Sequence, residues 1–145
     1  MELKVLYHDE KFGELERISK IEQGDWIDLR AAETVELKKG EFKIISLGIT
    51  VVIPDGYEMN IVPRSSTYKN FKILQTNCFS VIDNSYSGFN DIVGFPALAM
   101  EDTVVHKGDR ICQFRLNKKM ENLDLIEVKE ASDKSRGGFG STGKK

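Results

Sequence analysis

Between residues 45 and 61 the apolar side chains fall on every second position. Ile45, Leu47, Ile49, Val51 and Ile53 keep this period, Pro54-Asp55-Gly56 supplies a turn, and Tyr57, Met59 and Ile61 resume it. A two-residue period turns one face of an extended chain toward a core, and a helical period fits the same run badly. The pattern predicts a β-hairpin. Leu3-Lys4-Val5-Leu6-Tyr7, the stretch from Asp91 to Met100, and Arg110-Ile111-Cys112-Gln113-Phe114-Arg115-Leu116 read as further strands. In the last of these, Cys112, Phe114 and Leu116 share one face, and Ile111, Gln113 and Arg115 share the other.

A chain of 145 residues is long enough to bury the core such strands require, and its length fits one domain. The net charge of −2 and the pI near 5.8 lack the basic footprint of nucleic-acid binding. No apolar run approaches the ~18 residues that a membrane helix needs. The opening Met1-Glu2-Leu3-Lys4-Val5 has no signal-peptide core. Cys78 and Cys112 stand far apart without metal-ligand spacing, and so read as free thiols of a cytoplasmic protein. His8 and His106 are the two histidines, too few for a His-rich metal site, and His106-Lys107-Gly108-Asp109 reads as a turn.

Four stretches carry side chains suited to chemistry. In Asp25-Trp26-Ile27-Asp28-Leu29-Arg30-Ala31, alternation puts Asp28 on the face opposite Ile27 and Leu29; a solvated strand-edge carboxylate is the plain alternative. Pro63 ends a strand before Arg64-Ser65-Ser66, where either serine could cap a short helix whose free amides favour an anion. A capped helix with a surface arginine satisfies the same residues. Residues 77–91 read as strand, tight turn, strand, with Asp83 at the strand end three residues before Tyr86, and Gly88 beyond. The tail from Asp133 to Lys145 sets a lone Phe139 among Gly137, Gly138, Gly140 and Gly143, with Ser141, Thr142 and several cations. A solvated terminus is one reading. The other is a phosphate-binding arm, because glycines permit close backbone approach and an aromatic ring can cover a flat base. The lysine spacing of a Walker A loop is missing.

Taken together these segments resemble the trimeric deoxyuridine triphosphate nucleotidohydrolases, the dUTPases. Asp28-Leu29-Arg30-Ala31, Pro63-Arg64-Ser65-Ser66, Val81-Ile82-Asp83 with Tyr86 and Gly88, Gly108-Asp109-Arg110-Ile111-Cys112-Gln113-Phe114, and the glycine-rich tail occur in the order of that family's five motifs. The resemblance implies an all-β, distorted jelly-roll-like barrel over residues 1–133, with at most one short helix. A flexible arm over residues 134–145 would close over the site. It also implies a homotrimer with shared active sites, and Mg²⁺-dependent hydrolysis of dUTP to dUMP and pyrophosphate by water attack on the α-phosphate. Such a reaction limits uracil incorporation into DNA and supplies dUMP.

By the same resemblance, Asp83 would position and deprotonate the water, and Asp28 would meet the metal indirectly, through water. Arg64, Ser65, Ser66 and Gln113 would bind phosphate. Asn77, with the backbone of Val81 and Ile82, would read uracil, while Tyr86 would exclude a ribose 2′-hydroxyl. Phe139 would stack on the base, with Arg136, Gly140, Ser141 and Thr142 completing the arm.

This chain departs from the family pattern at four places. Ser80 and Ser66 stand where glycine is usual, and Ser87 where arginine is usual. Lys134 stands where the tail arginine is usual, so Lys134 or Arg136 supplies that cation. A deoxycytidine triphosphate deaminase-like enzyme shares the fold and would release ammonia from dCTP, but Asp83 with Tyr86 and the complete tail fit the dUTPase branch better. A non-catalytic nucleotide-binding regulator would have little use for Asp83, Gln113 and the whole tail together.

Overall fold

The computed structural model describes residues 1–132 and 134–145. In chain order its elements are β1 (Lys4–Tyr7), α1 (Asp9–Phe12), β2 (Ile27–Arg30), β3 (Val35–Leu37), β4 (Phe42–Ser46), β5 (Ile49–Val52) and β6 (Tyr57–Pro63). There follow α2 (Thr67–Phe71), β7 (Ile73–Gln75), β8 (Ser80–Ile82), β9 (Gly94–Ala99), β10 (Thr103–Val105) and β11 (Arg110–Lys118). The strands make four antiparallel sheets: β1 with β5, β3 with β10, the order β2-β11-β6-β8, and the order β4-β9-β7. Their inner faces enclose one core, in which Ile45, Val51, Met59, Ile61, Phe95 and Ile111 are fully buried.

The fold is all-β and jelly-roll-like as expected, although hydrogen bonds do not join the sheets into a closed barrel. Two helical turns occur rather than at most one. In the additional turn, α1, Lys11 and Phe12 donate their amides to the His8 carbonyl, and Asp9 and Glu10 complement its N-terminal end. The expected boundary between domain and arm falls at Asp133, which lies outside the described residues.

The alternating run forms strands but not the expected hairpin. Ile45, Leu47, Ile49, Val51 and Ile53 are all buried, yet β4 pairs with β9, β5 pairs with β1, and β6 pairs with β11 and β8. The change of partner between β4 and β5 occurs at Gly48. Its φ is +71°, and a β-carbon there would lie 2.7 Å from Leu15 Cδ1 and 2.8 Å from Ala32 Cβ. Only glycine lets the chain turn in so little space. Pro54-Asp55-Gly56 does turn the chain, with Tyr57 N donating to Pro54 O, but it carries the chain from one sheet to another.

Residues 77–91 are not a hairpin either. β8 pairs with β6, whereas β9 joins the β4-β9-β7 sheet, so the intervening loop crosses between sheets. The loop satisfies itself locally, through Tyr86 N to Asp83 O and Asp91 N to Gly88 O. Beyond β11, residues 119–145 contribute no strand among the described residues, and Leu125, Ile126 and Val128 are exposed.

Candidate active site

Asp28, Arg64 and Gln113 come together on the sheet β2-β11-β6-β8. Asp28 on β2 lies opposite Gln113 on β11, which lies opposite Val62 on β6; Arg64 follows directly after β6. Arg64 Nε reaches Asp28 Oδ1 at 3.0 Å, and Arg110 Nη1 reaches Asp28 Oδ2 at 3.4 Å. Arg64 Nη1 also donates to Arg110 O at 3.4 Å, and Gln113 Nε2 to Pro63 O at 3.1 Å. The carboxylate is therefore held by two guanidiniums. Cys112, the residue before Gln113 on β11, is buried, and burial pushes its thiol above its ordinary pKa, so it stays protonated.

Ser65 is exposed and Ser66 half-buried. Ser66 occupies the N-cap of α2, but neither serine hydroxyl caps the helix as expected. Thr67 does the local work instead: its Oγ1 accepts from Arg64 N at 2.7 Å and donates to Ile111 O at 2.9 Å. That pair of bonds fixes the backbone from which the Arg64 side chain projects.

A second group gathers around β8. Val81 is exposed and Ile82 half-buried, while Asp83 opens the loop beyond. Asp83 Oδ1 accepts from Ser85 N at 3.2 Å and lies 3.6 Å from Lys119 Nζ. The Ser85 amide first, then the Lys119 charge, hold this exposed carboxyl below its ordinary pKa. The loop is pinned on both sides. Asn84 Nδ2 donates to Ile53 O and Pro54 O, and Tyr86 Oη donates to Ile92 O at 3.0 Å. Asn77 lies before β8, with its amide engaged by Gln75 and Ser80.

These two groups do not meet within one chain. β2 and β8 are the opposite edges of the four-stranded sheet, and Asp83 continues one residue past the level of Met59, whereas Asp28 stands level with Val62. Three inter-strand steps and four residues along the strand separate the carboxylates by roughly 20 Å. Among the described residues the tail meets neither group. Arg136, Phe139, Gly140, Ser141 and Thr142 are exposed, and among the described residues the hydrogen bonds of Ser132 and of 134–145 stay within that segment, as in Ser141 N to Gly138 O and Gly143 N to Gly140 O. Phe139 adopts a φ of +47° in that turn and packs on nothing.

Two residues of the site were given no role from sequence. Arg110 lies within Gly108-Asp109-Arg110-Ile111-Cys112-Gln113-Phe114, but its reach to Asp28 depends on the pairing of β11 with β2. Lys119 carried no local signal, since it meets Asp83 only because β11 ends beside that loop.

Fold and site together define an all-β protein that offers guanidinium, amide and hydroxyl donors beside carboxylates, the groups that handle phosphate oxygens. The sequence model of the dUTPase family matches residues 22–143, and the chain belongs to that family. It is 58% identical, over the full length of both chains, to the SPbeta prophage-derived deoxyuridine 5'-triphosphate nucleotidohydrolase of Bacillus subtilis (strain 168). It is 39% identical to the deoxyuridine 5'-triphosphate nucleotidohydrolase of Finegoldia magna, over 81% of this chain and 83% of that one. Among solved structures, a glycine-to-serine mutant of the Staphylococcus bacteriophage 80alpha dUTPase with dUpNHpp shares the fold at a TM-score of 0.74 and 21% identity, covering 98% of each chain. An aspartate-to-asparagine mutant of the dUTPase from phage phi11 of S. aureus, with a structural Mg(II) ion, has a TM-score of 0.72 at 20% identity, covering 90% of this chain and 98% of that one.

Proposed function

We propose that this protein hydrolyses dUTP to dUMP and pyrophosphate, with Asp83 as the base that positions and deprotonates the attacking water. The observation that carries this reading is the Asp83 carboxylate. It is exposed at the end of a pinned loop, where it can meet a water, and the Ser85 amide orients it by donating to Oδ1 at 3.2 Å, with Lys119 Nζ 3.6 Å away. Arg64, Ser65, Ser66 and Gln113 bind phosphate oxygens. Charge on the triphosphate repels an incoming nucleophile, so its neutralisation precedes any help from a base. Asn77 and the backbone of Val81 and Ile82 read uracil, and Tyr86 stands against the sugar.

The donor set fits Mg²⁺ only as an ion carried in on the triphosphate. Among the described residues no three His, Cys, Asp or Glu side chains converge to cage a metal, and Asp28 is already paired with two arginines. Asp28 would therefore meet it through water, as Mg²⁺ readily allows. When bound, the ion supplies positive charge against the phosphate oxygens.

The same reading assembles the site from a homotrimer. The separation of Asp83 from Asp28 and Arg64 supports this, because no single chain brings them onto one nucleotide. The exposed Leu125, Ile126 and Val128 beyond β11 support it too, since their own chain leaves them uncovered. Residues 1–133 form the β domain of this proposal, and residues 134–145 the arm that folds over bound substrate, bringing Phe139 onto the base and Arg136, Gly140, Ser141 and Thr142 to the phosphates. The two free thiols fit a cytoplasmic setting.

The test is pyrophosphate release from dUTP, dCTP, dTTP and UTP by wild type and by Asp83→Asn. We expect strong preference for dUTP, and a loss of about 10²–10⁴ in kcat for the variant with nucleotide binding retained. Absence of dUTP-dependent pyrophosphate, or equal rates for the two proteins, overturns the proposal.

A further inference from the structure

The amide of Asn77 is locked in one orientation by a chain of contacts that begins in the core. Gln75, at the end of β7, is buried at 6% exposure, and its Nε2 lies 3.0 Å from Ile61 O on β6. A backbone carbonyl only accepts, so the end of the Gln75 amide that faces Ile61 is the nitrogen. The same Nε2 lies 3.0 Å from Asn77 Oδ1 and 3.0 Å from Ser80 Oγ. Turning the Asn77 amide over would set two NH₂ groups against each other at that distance. Asn77 therefore shows its oxygen to Gln75, and its Nδ2 donates to Ser80 Oγ at 2.9 Å.

Ser80 is itself held in place. It is buried at 6% exposure, and its carbonyl accepts from Asn60 Nδ2 at 3.2 Å. Asn60 is in turn fixed by Glu58 Oε2 at 2.8 Å and by Asn117 Nδ2 at 2.6 Å. At the far end of the Gln75 amide, Oε1 is buried with no partner. A buried acceptor left unpaired is unfavourable and asks for an explanation. Here the nitrogen end supplies one, because a reversed Gln75 would lose both Ile61 and the order of Asn77.

A locked amide distinguishes what a free one cannot. Uracil presents an acceptor at O4 and a donor at N3; cytosine presents a donor at N4 and an acceptor at N3. Each position is inverted between the two bases, and flipping an asparagine amide inverts its own pattern in the same way. An asparagine free to flip can therefore serve either base, whereas one of fixed polarity suits one of them. Nδ2 and Oδ1 of Asn77 each keep one hydrogen-bonding position beyond those used by Gln75 and Ser80.

We propose that Gln75 and Ser80 are positioning residues for base selection: they fix the polarity of the Asn77 amide and so set the preference for uracil over cytosine. Ser80 matters most for being a serine. The usual family glycine at this position would leave Nδ2 without a side-chain anchor, and Gln75 alone would have to hold the amide. The inference rests on the reading of Asn77 as the base contact.

The experiment compares wild type, Gln75→Leu and Ser80→Ala in two measurements. The first is kcat/KM for dUTP against dCTP. The second is calorimetric binding of dUMP against dCMP, which needs no turnover. We expect the uracil-to-cytosine ratio to fall at least about tenfold in Gln75→Leu, the scale of one mismatched hydrogen bond, and to fall less, in the same direction, in Ser80→Ala. Ser80→Ala carries the test if Gln75→Leu does not fold, since it removes a single oxygen. Ratios within about twofold of wild type in the folded variants, with both nucleotides weakened together, would mean a purely structural role and overturn the inference. A wild type that neither turns over dUTP nor prefers dUMP to dCMP instead sinks the functional reading, and the inference with it. A discriminating wild type with equally discriminating variants sinks the inference alone.

Discussion

Asp28 and Arg64 meet at 3.0 Å across a strand to which neither belongs: Asp28 is on β2, Arg64 follows β6, and β11 runs between them carrying Gln113. Both side chains are mostly covered, with 21% and 26% of their surface exposed, so water screens the pair less than it would on an open surface. Arg64 also bonds the Arg110 carbonyl, which uses the fork geometry of a guanidinium.

This geometry sets the expectation for Arg64→Lys. Lysine keeps the charge but cannot reach Asp28 and the Arg110 carbonyl together while leaving donors for a phosphate. Losing a hydrogen bond between charged groups costs about 1.5–3 kcal/mol, so kcat/KM for dUTP should fall roughly 10- to 100-fold. Steady-state kinetics check this, and a variant within threefold of wild type would show that charge alone suffices.

Lys119→Met should move the acid limb of the pH–rate profile. In the proposed mechanism Asp83 works as a base only when ionised, so activity should fall as pH drops through its pKa. The Ser85 amide and Lys119 both favour the carboxylate and hold that pKa down, which places the limb at low pH. Removing Lys119 takes away one of these causes and leaves the Ser85 amide, so the limb should shift to higher pH without vanishing. A limb that stays put, or moves lower, would show that Lys119 does not act on the catalytic carboxylate.

Deleting residues 137–145 should abolish most turnover and leave the fold intact. No hydrogen bond ties that segment to the β domain among the described residues, so the melting temperature should stay within about 2 °C of wild type. Loss of the aromatic and phosphate contacts proposed for the arm should lower kcat/KM by at least roughly 10²-fold. Light scattering before and after deletion tests whether the arm is needed for assembly; an assembly that falls apart would make the arm structural.

The strands were legible in the sequence and their partners were not. Period-two alternation is local, so Ile45, Val51 and Ile61 could be placed in the core from their neighbours alone. Pairing is decided by residues far along the chain. β6 chose β11 and β8, which no inspection of Pro54-Asp55-Gly56 could reveal, and the steric squeeze at Gly48 depends on Leu15 and Ala32. Ile111 shows a smaller version of the same limit. Alternation put it on the face opposite Cys112, yet both are buried, because the β11–β2 register slips between Arg110 and Cys112. The site divided likewise. Asp28, Arg64, Asp83 and Gln113 each stood out within a motif, but the contacts of Asp28 with both arginines and of Asp83 with Lys119 are products of tertiary structure.

The placement of the two carboxylates on opposite edges of one sheet has a consequence for inheritance. In the proposed trimer, each nucleotide takes Asp83 from one copy and Arg64 from another. A chain defective at one edge would then spoil a single site of any assembly it joins, whereas a chain defective at both edges would spoil two. In a cell expressing two alleles, the doubly altered product would be the stronger poison. Two singly altered products, one at each edge, could still rebuild an intact site between them.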